Sequence, residues 1–214
     1  SKIRMAAFIV RRLIQSVFVM FFVALVAFSL FRYVGDPINQ MVGVETSLKE
    51  RDALRERLGL NDPMPEQFWR FISSAAVGDF GISYQHKRPV SEMIALRLPA
   101  TLELSLISAI LSLAIGVPMG VYTGLHRDGL LSKVFMTVSL VGISLPTFLI
   151  GILMIYLFAV KMTILPSFGR GEVIQLGWWS TGLLTTSGLK ALIMPSITLG
   201  MFQLTLIMRL VRSE

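Results

Sequence analysis

An ionisable side chain in a hydrocarbon layer must be paired, hydrated or put to use, so it is the first place to look for chemistry. In this chain of 214 residues, Glu103 is the one carboxylate within the long apolar stretches. It lies within two turns of the expected outer end of its segment. Three roles follow from that position: a structural or interfacial one, held by water or a helix terminus; a direct one in moving a solute; and pairing with Arg97. The first is favoured. Ser139, Ser144, Thr147, Gln203 and Thr205 are further polar groups in apolar stretches. They suit the polar lining of a path for a solute, and each can equally bond a carbonyl of its own helix.

Backbone groups offer a second kind of chemistry. Gly116-Val117-Pro118, Ser144-Leu145-Pro146 and Pro195 each leave carbonyls without their usual helical partners. Neighbouring helices, hydroxyls or a water-filled path can satisfy them. Gly116, Pro118, Pro146 and Pro195 are therefore expected as kinks with close helix packing, or, more sharply, as hinges that flex in alternating access. His86 and His126 fall in separate segments on opposite expected sides of a membrane, so no metal site is expected from them. The sequence holds no phosphate-cradling glycine loop with its lysine, no paired carboxylates within a span and no serine elbow. It reads as a non-enzyme, and any ATP with its Mg would be bound by another polypeptide. The twelve methionines are scattered through apolar runs and suit packing.

The elements that position these groups follow from composition. Hydrophobic residues make up 54% and charged residues 15%, outside the soluble range, so the expected solvent is lipid. Zero cysteines remove disulfide and thiolate chemistry. The net charge of +7 is spread beside apolar runs and forms no groove-reading motif, which argues against nucleic acid. Residues 13–31 carry no charge and are long enough to cross a bilayer. Lys2, Arg4, Arg11 and Arg12 precede them. A cleavable signal peptide is the rival reading; the apolar run is longer than usual for one and no small-x-small site follows, so a retained anchor is expected.

Residues 35–97, with nine acidic and eight basic residues and four prolines, are expected in water. Ser47 and Glu50 have capping-box spacing and predict a helix over about 48–58, stopped at Gly59. Pro65 opens a second helix with Phe68, Trp69, Phe71, Ile72 and Ala75 on one broad face, and Pro89 a third short one through Arg97. Three more spans are expected at about 98–125, 134–160 and 191–211. The second of these is too long to stand straight, and Pro146 is its natural bend. The loop 161–190, with Trp178-Trp179, suits an aromatic-anchored interface. Basic residues collect at the N-terminus, at Arg127 and Lys133, and at Arg209 and Arg212. The positive-inside rule then puts both ends in the cytoplasm and the 35–97 insert outside. The expected fold class is all-α: a polytopic transmembrane helical protein with four spans, organised as 1–34 (first span), 35–97 (periplasmic helical insert) and 98–214 (transmembrane core).

Taken in order, several short motifs point to a family. They include Arg11-Arg12-Leu13, Gly35-Asp36-Pro37, Leu58-Gly59-Leu60-Asn61-Asp62-Pro63 and Gly78-Asp79-Phe80-Gly81-Ile82-Ser83. Arg88-Pro89-Val90, Leu98-Pro99-Ala100-Thr101-Leu102-Glu103-Leu104, Gly116-Val117-Pro118-Met119-Gly120-Val121 and Ser144-Leu145-Pro146-Thr147-Phe148 continue the series. Leu165-Pro166, Met194-Pro195-Ser196-Ile197-Thr198-Leu199-Gly200 and Arg209-Leu210-Val211-Arg212-Ser213 complete it. The chain resembles the permease subunits of dipeptide, oligopeptide and nickel importers of the ATP-binding cassette type I class. That resemblance implies a second homologous permease subunit, two cytoplasmic ATPase subunits, a periplasmic substrate-binding protein and a place in the bacterial inner membrane. ATP and Mg would belong to the ATPase partners. Family members continue beyond this point into a coupling helix and two further spans, so Arg209, Arg212, Ser213 and Glu214 would stand at the start of the ATPase-coupling segment. A non-transport membrane scaffold or assembly subunit is the alternative. Dipeptides, longer peptides, glutathione and nickel complexes all remain open as substrates.

Overall fold

A computed structural model describes residues 2–214. Its contacts divide the chain into one unit up to Ile94 and another from Ala95 to Glu214. In the first unit, helix α1 (Lys2–Tyr33) presents apolar side chains on every face and buries none of them. Its 32 residues extend ~48 Å at the helical rise, more than a bilayer's hydrocarbon needs.

Three short helices follow α1: α2 (Pro37–Met41), α3 (Leu48–Arg57) and α4 (Met64–Ala76). The capping box forms as its spacing predicts. The Ser47 hydroxyl accepts from the Glu50 N–H, and the Glu50 carboxylate accepts from the Ser47 N–H. Arg55 pairs with Asp36, which also caps α2. The turn between α3 and α4 is held by its own carbonyls. Arg32 donates to Leu60 O (2.9 Å), Gln67 to Leu60 O and Asp62 O, and Arg70 to Gly59 O. Gly59 has a φ of +67° with the Arg70 guanidinium against it, a place where a side chain would be both strained and obstructed. Phe68 packs edge-on against Phe21 and Phe28 of α1, and Phe71 lies over Phe28. Of the apolar face expected for α4, Trp69 is the exception, since it points away from α1 and is exposed.

The expectation of a short helix ending at Arg97, with Pro99 opening a separate span, is corrected. Helix α5 (Val90–Leu125) runs unbroken through Pro99 and Pro118. A proline removes one donor and one intrahelical bond, but in an apolar medium a broken helix would expose several unpaired groups instead of one. Continuity is therefore favoured.

The second unit continues with α6 (Leu130–Ser144), α7 (Thr147–Met154) and a π-helical stretch (Ile155–Lys161). Leu145 is extended, the conformation favoured before a proline, and the two halves are bent by 104° at this break. The loop that follows contains a small antiparallel hairpin, β1 (Ile174–Leu176) with β2 (Trp179–Thr181), in the register Ile174↔Thr181. Helix α8 (Thr186–Ser213) closes the unit and stays continuous through Pro195; the Thr185 hydroxyl caps it by accepting from Gly188 N–H. Among the described residues, α1, α5 and α8 are each long and apolar enough to cross a membrane, and the bent pair adds a fourth crossing if it counts as one span. Apart from the hairpin the architecture is all-α.

Candidate functional site

Helix α5 carries a small residue at every fourth position: Ser108, Ser112, Gly116, Gly120 and Gly124. That spacing puts them on one stripe, and four of the five are buried against α8, with Gly124 half-buried. The Ser112 hydroxyl donates to Ser108 O on its own helix (2.7 Å) and lies 3.0 Å from Gly200 O; that of Ser108 reaches Ser196 O. A Cβ on Gly116 would meet Leu204 O at 3.1 Å, and one on Gly120 would meet Met208 O at 2.8 Å and Val211 Cβ at 2.7 Å. Successive contacts climb both helices together, so α5 and α8 are parallel. Such close approach is how helices associate where lipid supplies no hydrophobic drive between them.

Glu103 stands near one end of this seam and is 5% exposed. Its Oε2 accepts from Arg170 Nη2 and from Gly182 N–H, both at 3.2 Å, and its Oε1 from Trp179 Nε1 at 3.1 Å. Arg170 in turn donates to the Ser180 hydroxyl and carbonyl, both at 2.9 Å. The carboxylate therefore clasps the whole 170–182 loop to α5. Glu172 N–H, donating to the Ser187 hydroxyl, pins the same loop to the start of α8. Pairing with Arg97 is corrected: the ion-pair partner is Arg170. A buried carboxylate with several donors and a cation is satisfied without water.

Between these ends runs the bent pair. Gly142 of α6 lies against Thr205, and Gly151 of α7 against Thr198, so the break at Leu145-Pro146 stands opposite the 198–205 stretch of α8. A re-entrant loop would return the chain to its starting side and make α5 and α8 antiparallel. They are parallel. The pair leaves beside Leu125 and leads to the loop clasped at Glu103, ~33 Å away along α5 at the helical rise, about a hydrocarbon thickness. An apolar cavity of about 370 Å³, bordered by Gly151, Ile155, Phe168, Pro195 and Thr198, lies beside this route.

The other residues singled out in the sequence are dispersed. Ser139 is buried and donates to Met136 O on its own helix (2.8 Å), and Thr205 likewise to Met201 O (3.0 Å). Ser144 and Thr147 flank the break and are exposed, as is Gln203 on α8. Of the four expected hinge residues, Gly116 sits inside the seam, Pro118 and Pro195 lie exposed in continuous helices, and Pro146 alone interrupts one. Arg209, Arg212, Ser213 and Glu214 form the end of α8. There Arg209 Nε is buried without a hydrogen-bond partner among the described residues, and the Arg212 backbone lies 3.5 Å from where a Gly124 Cβ would be. His126 stacks on Tyr122. Sequence reading missed Arg170, Trp179 and Gly182 as partners of Glu103; the loop's arginine near a tryptophan pair was the signal that pointed there.

Comparison with known proteins places this architecture. Residues 5–105 match the family model described as the N-terminal part of the binding-protein-dependent transport system membrane component. Residues 116–214 match the binding-protein-dependent transport system inner membrane component itself. A probable peptide ABC transporter permease protein of Sinorhizobium fredii is 33% identical over 212 residues, covering 98% of this chain and 65% of the relative. A glutathione transport system permease protein of Escherichia coli is 32% identical over 197 residues, covering 92% of this chain and 59% of the relative. A putative peptide transport system permease protein of Brucella abortus is 33% identical over 213 residues, covering 98% and 65%. The chain thus spans under two thirds of the length of these relatives. With consecutive family matches laid along nearly its whole length, the chain belongs to the family of binding-protein-dependent transport system inner membrane components.

Proposed function

We propose that this chain forms the major part of a permease subunit that, with a second homologous subunit, makes the path for peptides or similar small solutes across a bacterial inner membrane. The observation that carries the proposal is the pair of family matches, 5–105 and 116–214, in sequence along nearly the whole chain. In this reading the substrate crosses unmodified. ATP binding and hydrolysis in two partner subunits switch the permease pair between outward-open and inward-open states, and a periplasmic binding protein delivers the solute. Each ligand acts by stabilising one of two states more than the other. The parallel α5/α8 seam, welded by backbone-to-backbone approach, suits a rigid body, and the break at Pro146 suits the place where packing is least continuous. Ser144, Thr147 and Gln203, exposed at the level of that break, are the polar groups best placed to face a solute. Glu103 acts indirectly in this reading, by holding the loop over the end of the seam.

Basic residues at Lys2, Arg4, Arg11 and Arg12, at Arg127 and Lys133, and at Arg209 and Arg212 support an arrangement with both described ends of the chain in the cytoplasm. The glutathione and peptide names of the relatives support a peptide-like substrate. Proteoliposomes containing the complete permease pair with its ATPases are expected to take up a labelled dipeptide, tripeptide or glutathione only with ATP and binding protein present. Absence of uptake of all three, together with ATP hydrolysis indifferent to the binding protein, contradicts the proposal and favours a scaffold.

A further inference from the structure

Within the first unit, the depth of α4 is fixed by what it touches. The charge-free run of α1 extends over residues 13–31, bounded by Arg11 and Arg12 at one end and Arg32 at the other. Phe21 lies ~15 Å, and Phe28 ~5 Å, inside the Arg32 end of that run at the helical rise. Phe68 of α4 meets both, with ring centroids 5.5 Å apart in each case. Sliding the hydrocarbon slab along α1 until these rings stood in water would draw Arg11 and Arg12 into it, which is strongly unfavourable. Helix α4 must therefore descend below the level of the chain's exit from the membrane.

The side of α4 turned away from α1 carries Glu66, Trp69, Arg70, Ser73 and Ala76, all exposed. Trp69 is 70% exposed although it is next in sequence to the packed Phe68. Arg70 is occupied by Asp62 at 2.7 Å, at the end of the helix nearest the turn. A large indole beside charged neighbours, on a helix whose opposite face is pinned to a membrane span, fits the boundary between headgroups and acyl chains, where such helices rest ~5–10 Å deep.

We infer that α4 is an interfacial helix that rests in the leaflet at the Arg32 end of α1, with Trp69 in contact with lipid at the headgroup–acyl boundary. The inference rests on α1 spanning the membrane, and it is independent of what the permease transports. The insert is then tethered to the bilayer surface along α4, while α3, whose residues are mostly charged, stays in water.

The chain has no cysteine, so single nitroxide labels can be placed in the complete permease complex, with the partner subunits free of reactive cysteine, in phosphatidylcholine vesicles. Labels at Trp69→Cys and Ser73→Cys are expected to collide with oxygen several-fold more, relative to a water-soluble nickel chelate, than a label at Lys49→Cys on α3. Ser73→Cys keeps Trp69 in place, so a failure specific to the tryptophan variant does not decide the outcome. A nickel-dominated signal at 69 and 73 like that at 49 overturns the inference. So does suppression of both collision partners, which would show a protein partner covering this face. A label at Val19→Cys checks the premise: if it too is nickel-accessible, α1 is not a span, and the membrane reading fails before this one.

Discussion

Glu103 is bound by groups that only a charged acceptor satisfies together: a guanidinium, an indole N–H and a backbone N–H. Glu103→Ala is expected to destabilise the folded core by about 2–3 kcal/mol, less than a fully buried pair because Arg170 is about a third exposed. Thermal unfolding in detergent reads this. The swapped variant carrying Glu103→Arg and Arg170→Glu is expected not to recover, because Trp179 and Gly182 would then face a donor. Glu50 gives a pH-dependent counterpart in the first unit. The Ser47 hydroxyl first, and then its backbone N–H, hold the Glu50 carboxyl below its ordinary value of 4.5. A group lowered in the folded state contributes stability above its unfolded pKa and loses it as pH falls through the folded one. Amide-exchange protection at the start of α3 is accordingly expected to weaken below about pH 4.5, and Glu50→Gln is expected to flatten that dependence. The two sites differ in how legible they were. The cap joins residues three positions apart and obeys a local rule, so its spacing predicted it, whereas the partners of Glu103 lie in a loop 67 to 79 residues away, joined to it only by the fold.

Helices α5 and α8 are held together by the absence of side chains as much as by their presence. Gly120→Ala would push a methyl to 2.8 Å from Met208 O, a backbone atom that cannot turn aside, and is expected to lower stability by about 1–3 kcal/mol. Gly124→Ala, whose nearest neighbour would be Arg212 O at 3.5 Å, is expected to be near neutral. Comparing the melting temperatures of the two variants separates a seam argument from a general intolerance of alanine on this face. The apolar runs were legible because an unbroken charge-free stretch has few other uses in a chain this hydrophobic. Pro99 misled, since the rule that proline marks a helix boundary is drawn from media where water can take the freed backbone groups. Pro146 did break its helix, where Ser144 and Thr147 stand exposed on either side. The direction of α5 relative to α8 followed from the expected count of four spans, whose second and fourth members must run the same way, and the contacts between the two helices agree.

At the scale of the molecule, that direction is the strongest constraint. Two parallel spans require an odd number of crossings between them, so the bent pair of α6 and α7 carries the chain across the membrane and does not return it. Helix α1 is by itself long and apolar enough for a further crossing. The family matches run in sequence along nearly the whole chain, over residues 5–105 and 116–214. The most direct check uses the two ends of α5, where Gln85 precedes the helix, Asp128 follows it, and both are exposed. In intact cells a membrane-impermeant thiol reagent is expected to label Gln85→Cys at once and Asp128→Cys only after permeabilisation. Labelling of both before permeabilisation, or of Asp128→Cys alone, would contradict the topology on which the permease account stands.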